Sequence, residues 1–73
     1  MTNSEIATII RSTLNQGRTV FVCMPTGLDW PITGVKQKGK KLLGRYDGDY
    51  LDITGRNLYS TDRLGRDKVM IDF

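Results

Sequence analysis

Leu42-Leu43-Gly44-Arg45-Tyr46-Asp47-Gly48-Asp49-Tyr50-Leu51-Asp52-Ile53 reads as a β-hairpin closed by Asp47-Gly48. Asp-Gly is the preferred pair for a two-residue type I′ turn, whose central residues both need a positive φ. A loop of that length fixes the register. Tyr46 faces Asp49, Arg45 faces Tyr50, Gly44 faces Leu51, Leu43 faces Asp52 and Leu42 faces Ile53. Residues paired across a hairpin share a face, so Leu42, Gly44, Leu51 and Ile53 are expected in the core. Lys41, Leu43, Arg45, Tyr50 and Asp52 then make the opposite surface, an aromatic among charges.

Toward the N-terminus the periodicity is helical. Ile6, Ile9, Ile10 and Leu14 recur at spacings of three and four and form one apolar stripe with Thr13 inside it. Thr2-Asn3-Ser4-Glu5 has capping-box spacing, Asn3 and Ser4 are alternative caps, and Gly17 offers a left-handed stop. The helix is placed at about Ser4 to Gln16. Thr19-Val20-Phe21-Val22-Cys23-Met24 is β-branched and aromatic and reads as a strand covered on both faces, ended by Pro25-Thr26-Gly27. A second strand is expected from about Asp29 to Val35, with Pro31 placing it at an edge or a strand start. Lys36-Gln37-Lys38-Gly39 reads as an exposed connection.

Beyond the hairpin, Gly55-Arg56 turns the chain, Asn57-Leu58-Tyr59 pairs briefly, and Ser60 to Lys68 is polar enough for a loop or a short helical turn. Val69, Ile71 and Phe73 alternate with Met70 and Asp72, the pattern of a half-buried closing strand. The expected fold is α+β: an N-terminal helix packed on a small, strongly bent antiparallel sheet or partial barrel of four to five strands, in a single domain over residues 1–73. Glycines 34, 44 and 55 suit the corners of such a sheet. Helix followed by short strands is also the order of the Sm-like RNA-binding fold, which the chain resembles in outline. That family's uridine-binding and strand-pairing motifs do not match here residue by residue, so its RNA-ring function is not carried over.

Charge is distributed unevenly. Between Trp30 and Tyr46 stand Lys36, Lys38, Lys40, Lys41 and Arg45 with no acid, whereas six aspartates face four basic residues from Asp47 onward. The net +3 therefore hides a one-sided field that suits an acidic partner, nucleic acid or protein. Arg56, Arg63 and Arg66 form a second region, interleaved with Asp62 and Asp67. Interleaving weakens attraction to a uniform polyanion but permits specific salt bridges across a protein interface.

Composition narrows the classes further. The hydrophobic fraction of 38% and charged fraction of 26% are those of a globular chain rather than a disordered one. A lone cysteine makes no internal disulfide, and without histidine the usual zinc clusters are unavailable. Arg11 interrupts the first apolar stretch, which excludes a signal peptide or a membrane span there. The chain is expected to be soluble and cytoplasmic.

The residues that could carry catalysis stand in settings that do not suit it. Cys23 lies in an apolar run with no histidine to activate it, the setting of a buried structural thiol. Asp47 falls in the turn, and Asp49 and Asp52 fall on opposite faces, so they do not form an acid pair or a metal site. Gly34 to Gly39 lacks the spacing of a phosphate-binding loop. No enzyme activity, cofactor, metal or small-molecule substrate is expected. Trp30 reads as a core plug beneath the helix, its alternative being an exposed anchor for a protein or a base. Tyr50 opposite Arg45 reads as a local cation–π pair, its alternative being a stacking platform.

The capped helix from Thr2 to Gln16, the strand from Thr19 to Met24 and the Arg45-Tyr46-Asp47-Gly48-Asp49-Tyr50 hairpin together resemble a small phage-encoded regulator of host RNA polymerase. The resemblance covers the build and length of the whole chain. It implies a non-enzymatic protein that binds a bacterial RNA polymerase subunit in the host cytoplasm. It further implies inhibition of promoter-dependent initiation, displacement of the initiation factor and, in some members, antitermination. The candidate partner-binding residues are Lys36, Lys38, Lys40, Lys41, Arg45 and Tyr50. The second reading is a small β-barrel that binds RNA or single-stranded DNA through the same lysines, with Tyr46 or Tyr50 stacking on bases. An SH3-like peptide adaptor forms a third class, and no clear aromatic groove in the sequence supports it.

Overall fold

In the computed structural model, which describes residues 2–71, the N-terminal apolar stripe forms α1, Asn3–Asn15. Thr2 is the N-cap. Its hydroxyl oxygen accepts from the Glu5 N–H at 3.2 Å, while its own N–H donates to Glu5 Oε1 at 3.1 Å, the reciprocal capping box. At the other end the Gly17 N–H donates to the Leu14 carbonyl, and Gly17 turns the chain with φ +80°.

Seven short strands follow: β1 Thr19–Cys23, β2 Asp29–Ile32, β3 Gly34–Lys38, β4 Lys41–Tyr46, β5 Asp49–Asp52, β6 Leu58–Thr61 and β7 Val69–Ile71. They form a four-stranded sheet ordered β2-β1-β6-β7 and a three-stranded sheet ordered β3-β4-β5, all pairs antiparallel. The class is α+β, and the two sheets make a partial barrel rather than a closed one. Phe73 and Asp72 of the expected closing strand lie outside the described residues.

The bend that divides the sheets sits at Thr33. The expected strand from Asp29 to Val35 splits there, β2 joining one sheet and β3 the other. The Thr33 N–H donates to the Arg45 carbonyl at 2.8 Å, so the corner is tied to the end of β4. Lys36-Gln37-Lys38 is strand rather than connection, because the backbone pairs with β4 through Lys36↔Leu43 and Gln37↔Leu42, leaving only Gly39 and Lys40 in the turn. Ser60 and Thr61 also belong to a strand rather than a loop. β6 lies between β1 and β7, and these two hydroxyl residues are buried with partners: Ser60 Oγ accepts from Arg18 Nε, and Thr61 Oγ1 donates to the Asp62 carbonyl. These differences raise the strand count to seven from the four or five that the sequence suggests.

The core lies between the sheets and the helix. Ile6, Ala7 and Ile10 come from α1, Val20 and Val22 from β1, and Ile32, Leu42 and Leu58 from β2, β4 and β6, with Ile53 following β5. The seven largest of the fully buried side chains among the described residues each contribute about 1.5–3 kcal/mol by removal from water. The hairpin register is the one the Asp47-Gly48 turn dictates: Tyr46↔Asp49, Arg45↔Tyr50, Gly44↔Leu51 and Leu43↔Asp52. Asp47 and Gly48 both have positive φ, 49° and 84°. Leu42 and Ile53 meet one step further on, where the Ile53 N–H donates to the Leu42 carbonyl. Of the predicted core set, Leu42, Gly44 and Ile53 are buried and Leu51 is half-buried.

Candidate binding face on the three-stranded sheet

Pleat alternation decides where the basic residues go. On β3, Val35 packs against the core while Lys36 and Lys38 point away from it. On β4, Leu42 and Gly44 are buried while Lys41 and Arg45 are exposed, and on β5 Tyr50 stands opposite Arg45. Strand pairing aligns these alternations, so Lys36, Lys38, Lys41, Arg45 and Tyr50 share the outer face of one sheet. Lys40 stands at its end, in the turn between β3 and β4, where its carbonyl accepts from Asn3 Nδ2 at 3.1 Å. All six candidate residues therefore lie on or beside a single three-stranded surface.

The electrostatics of this face are one-signed apart from Asp52. Lys38 and Lys41 are directly opposed across β3 and β4, a like-charge pair that disfavours the strand pairing and raises the local potential. Among the described residues the ion pair within 4 Å is Arg18–Asp67, and none of the five basic residues of the face takes part in one. The Asp52 carboxyl is held below the usual carboxylate range by the Thr54 hydroxyl and then the Thr54 N–H, with Lys41 and Arg56 adding to the effect. It stays ionised at neutral pH and offsets part of the field.

Tyr50 is 43% exposed, and its ring carries the Lys36 ammonium 4.0 Å from the centroid. The partner is thus Lys36 rather than Arg45, although Arg45 is the directly paired residue. β4 lies between β3 and β5, so the lysine stem must cross it diagonally, beside the half-buried Leu43 to which Lys36 is paired. A long stem that shields apolar surface while its head stays solvated is the usual behaviour of lysine. Register alone does not show such a diagonal contact.

Trp30 is half-buried, packs against the core from β2 and has the Tyr46 ring 4.9 Å away at a 32° tilt. Asp47 occupies the turn while Asp49 and Asp52 alternate on β5. A second group of polar side chains, on the outer face of the four-stranded sheet, is not apparent in the sequence. The Tyr59 hydroxyl donates to Asp29 Oδ2 at 2.5 Å, its ring stacks on Phe21 at 5.1 Å, and Lys68 Nζ lies 4.4 Å from its centroid. The bond to Asp29, then burial, pushes the Tyr59 hydroxyl up to about 12. The signal for this group was the pairing Cys23↔Asp29 and Phe21↔Tyr59, legible only once β1 is known to be flanked by β2 and β6. Burial, then Asp29, pushes the Cys23 thiol up, against a smaller opposing effect of Lys68. At neutral pH the thiol is protonated and is not a ready nucleophile.

No helix among the described residues is long and apolar enough to cross a membrane. Compared with known proteins, the chain matches no family model, and no curated protein and no solved structure shows significant similarity to it.

Proposed function

We propose that this chain is a non-enzymatic binding module that occupies an acidic surface of a bacterial RNA polymerase subunit and so inhibits promoter-dependent initiation. The choice of partner rests on the resemblance of the capped helix, the β1 segment and the hairpin to phage-encoded polymerase regulators. The observation that supports docking is the array of Lys36, Lys38, Lys41 and Arg45 around Tyr50 on one sheet face. The place of action is the cytoplasm of the host cell.

The mechanism is competition. A standard protein interface takes about 800 Å² from each partner, roughly one sixth of the 4859 Å² this domain exposes. One face of the three-stranded sheet with its flanking turns is enough to cover a hot spot and exclude the initiation factor sterically. The lysines steer the encounter, which makes association fast at low salt and slower as salt rises. Continued occupancy of the elongating enzyme gives the route to antitermination.

Direct binding of RNA or single-stranded DNA is the second reading, favoured by the exposure of Tyr50 within the basic array. Lys36 over the ring competes with a base for the same stacking face, which leaves the protein reading ahead. The test is capture of partners from a bacterial lysate on the tagged chain, with and without nuclease. Nuclease-resistant recovery of polymerase subunits supports the proposal. Recovery of nucleic acid, with proteins lost after nuclease treatment, makes the chain a direct nucleic-acid binder and removes the polymerase from the mechanism.

A further inference from the structure

The loop between β6 and β7 turns the interleaved charges of the C-terminal region into an ordered arrangement. Asp62 Oδ1 accepts from the N–H groups of Leu64 at 2.9 Å and Arg66 at 2.8 Å. The Asp62 N–H donates to the Arg66 carbonyl at 2.8 Å, and the Gly65 N–H to the Asp62 carbonyl at 3.1 Å. At the far side, Arg18 donates to Asp67 Oδ2 at 3.0 Å and to the Asp67 carbonyl at 2.6 Å, while its Nε holds Ser60 Oγ. Both aspartates are thus engaged within the domain. Lys68 is engaged as well, over the Tyr59 ring.

The loop side chains that make no hydrogen bond or cation–π contact within the domain are those of Arg63, Leu64 and Arg66. All three are exposed, Leu64 at 77%, the highest value among the large apolar side chains described. Among the described residues neither arginine is in an ion pair. A single exposed leucine is ordinary on a protein surface. This one is held at the tip of a loop cross-linked by hydrogen bonds, between two cations whose neighbouring acids are bonded within the domain, Asp62 to the loop backbone and Asp67 to Arg18.

We infer that the loop from Asp62 to Lys68 is a second, pre-formed docking element that inserts Leu64 into an apolar pocket rimmed by carboxylates on a protein partner. The Asp62 and Arg18 bonds fix the loop before contact, so little ordering entropy remains to be lost on binding. Arg63 and Arg66 select an acidic rim and bar a basic one. The inference rests on the polymerase reading above, and it adds a contact that the basic sheet face does not supply.

The experiment measures binding of the full chain to purified bacterial RNA polymerase, and separately to a short duplex DNA, for the wild type, Leu64→Ser and the double variant Arg63→Glu/Arg66→Glu. Leu64→Ser should weaken polymerase binding by about tenfold or more, the effect of removing an anchor residue, mainly through faster dissociation. The double reversal should slow association and flatten its salt dependence. Both variants should keep the wild-type circular dichroism spectrum and unfolding midpoint, because none of the three side chains is buried. Wild type binding the polymerase with Leu64→Ser within about twofold of it overturns the loop while sparing the polymerase reading. Failure of the wild type to bind overturns both. Loss on duplex DNA alone makes the occupant a base step rather than a protein pocket and overturns the inference.

Discussion

Lys36 and Tyr50 lie on strands that do not touch each other, yet the ammonium of one sits 4.0 Å from the ring centre of the other. The contact spans β4 and staples the two edges of the three-stranded sheet on its outer side. An exposed cation–π pair is worth about 0.5–1 kcal/mol. A double-mutant cycle of Lys36→Met and Tyr50→Leu should therefore return a coupling of about that size in urea denaturation. Methionine keeps most of the stem over Leu43 and removes only the charge. Additive effects would show that the ring and the ammonium are neighbours without attraction.

Lys38, Lys40 and Lys41, like Arg45, have no aromatic partner among the described residues. Changing all three to glutamate should weaken partner binding by at least tenfold and leave the folded spectrum intact, since all three are exposed. Glutamates at 38 and 41 replace one like-charge pair by another across β3 and β4, and the attraction between Lys41 and Asp52 that Lys41→Glu removes is a small cost at an exposed site. The binding constant of the variant should also depend less on salt than that of the wild type. Equal affinity for wild type and variant would take the sheet face out of the mechanism.

The parts of this fold that were legible in the sequence are those whose determinants are local. Asp47-Gly48 demands two positive φ angles in a row, which fixes the register, and Leu42, Leu51 and Ile53 on one face of that register mark the side that is buried. The Thr2 and Glu5 pair specifies its own cap. What was not legible depends on partners distant in sequence. Ser60 and Thr61 look like loop residues until β6 is placed between β1 and β7, where Arg18, 42 residues away, satisfies the Ser60 hydroxyl. Lys36 and Lys38 look like a solvated connection because an edge strand with one face in water needs few apolar residues. The candidate face itself was foreseen as a cluster of charges. Its diagonal contact was not, because it comes from side-chain reach across a strand rather than from register.

Gly44 sits where β4 packs closely against Ile32 and Ile53. A methyl group on its α-carbon would lie 3.0 Å from Ile32 Cγ2 and 3.2 Å and 3.3 Å from Ile53 Cγ2 and Cδ1. Both isoleucines are 1% exposed, so neither has open space to yield into. Gly44→Ala should destabilise the domain by about 1–3 kcal/mol through overpacking, although its backbone conformation suits alanine. The check is a lower urea midpoint with an unchanged slope. An unchanged or raised midpoint would mean that β4 can move away from Ile32 at no cost.

Alkaline stability should hinge on Tyr59, whose hydroxyl is pushed up to about 12 by its bond to Asp29 and by burial. An unfolded tyrosine titrates near 10. The folded state therefore holds this proton more tightly, and the resulting stabilisation is complete below about pH 10. As pH rises from about 10 to about 12 the unfolded chain releases the proton first, and the stabilisation is lost through that window. Tyr59→Phe keeps the stack on Phe21 and removes the hydroxyl. At pH 7 the variant should be less stable by about 1 kcal/mol, the net worth of one hydrogen bond. Asp29 is exposed and finds water in its place, which keeps the loss small. Between pH 10 and 12 the wild type should lose stability faster than the variant, so that the two unfolding curves converge. The difference between the proteins is the readout, because every other side chain is common to both. Parallel curves across that range would show that the Asp29 bond does not retain the Tyr59 proton.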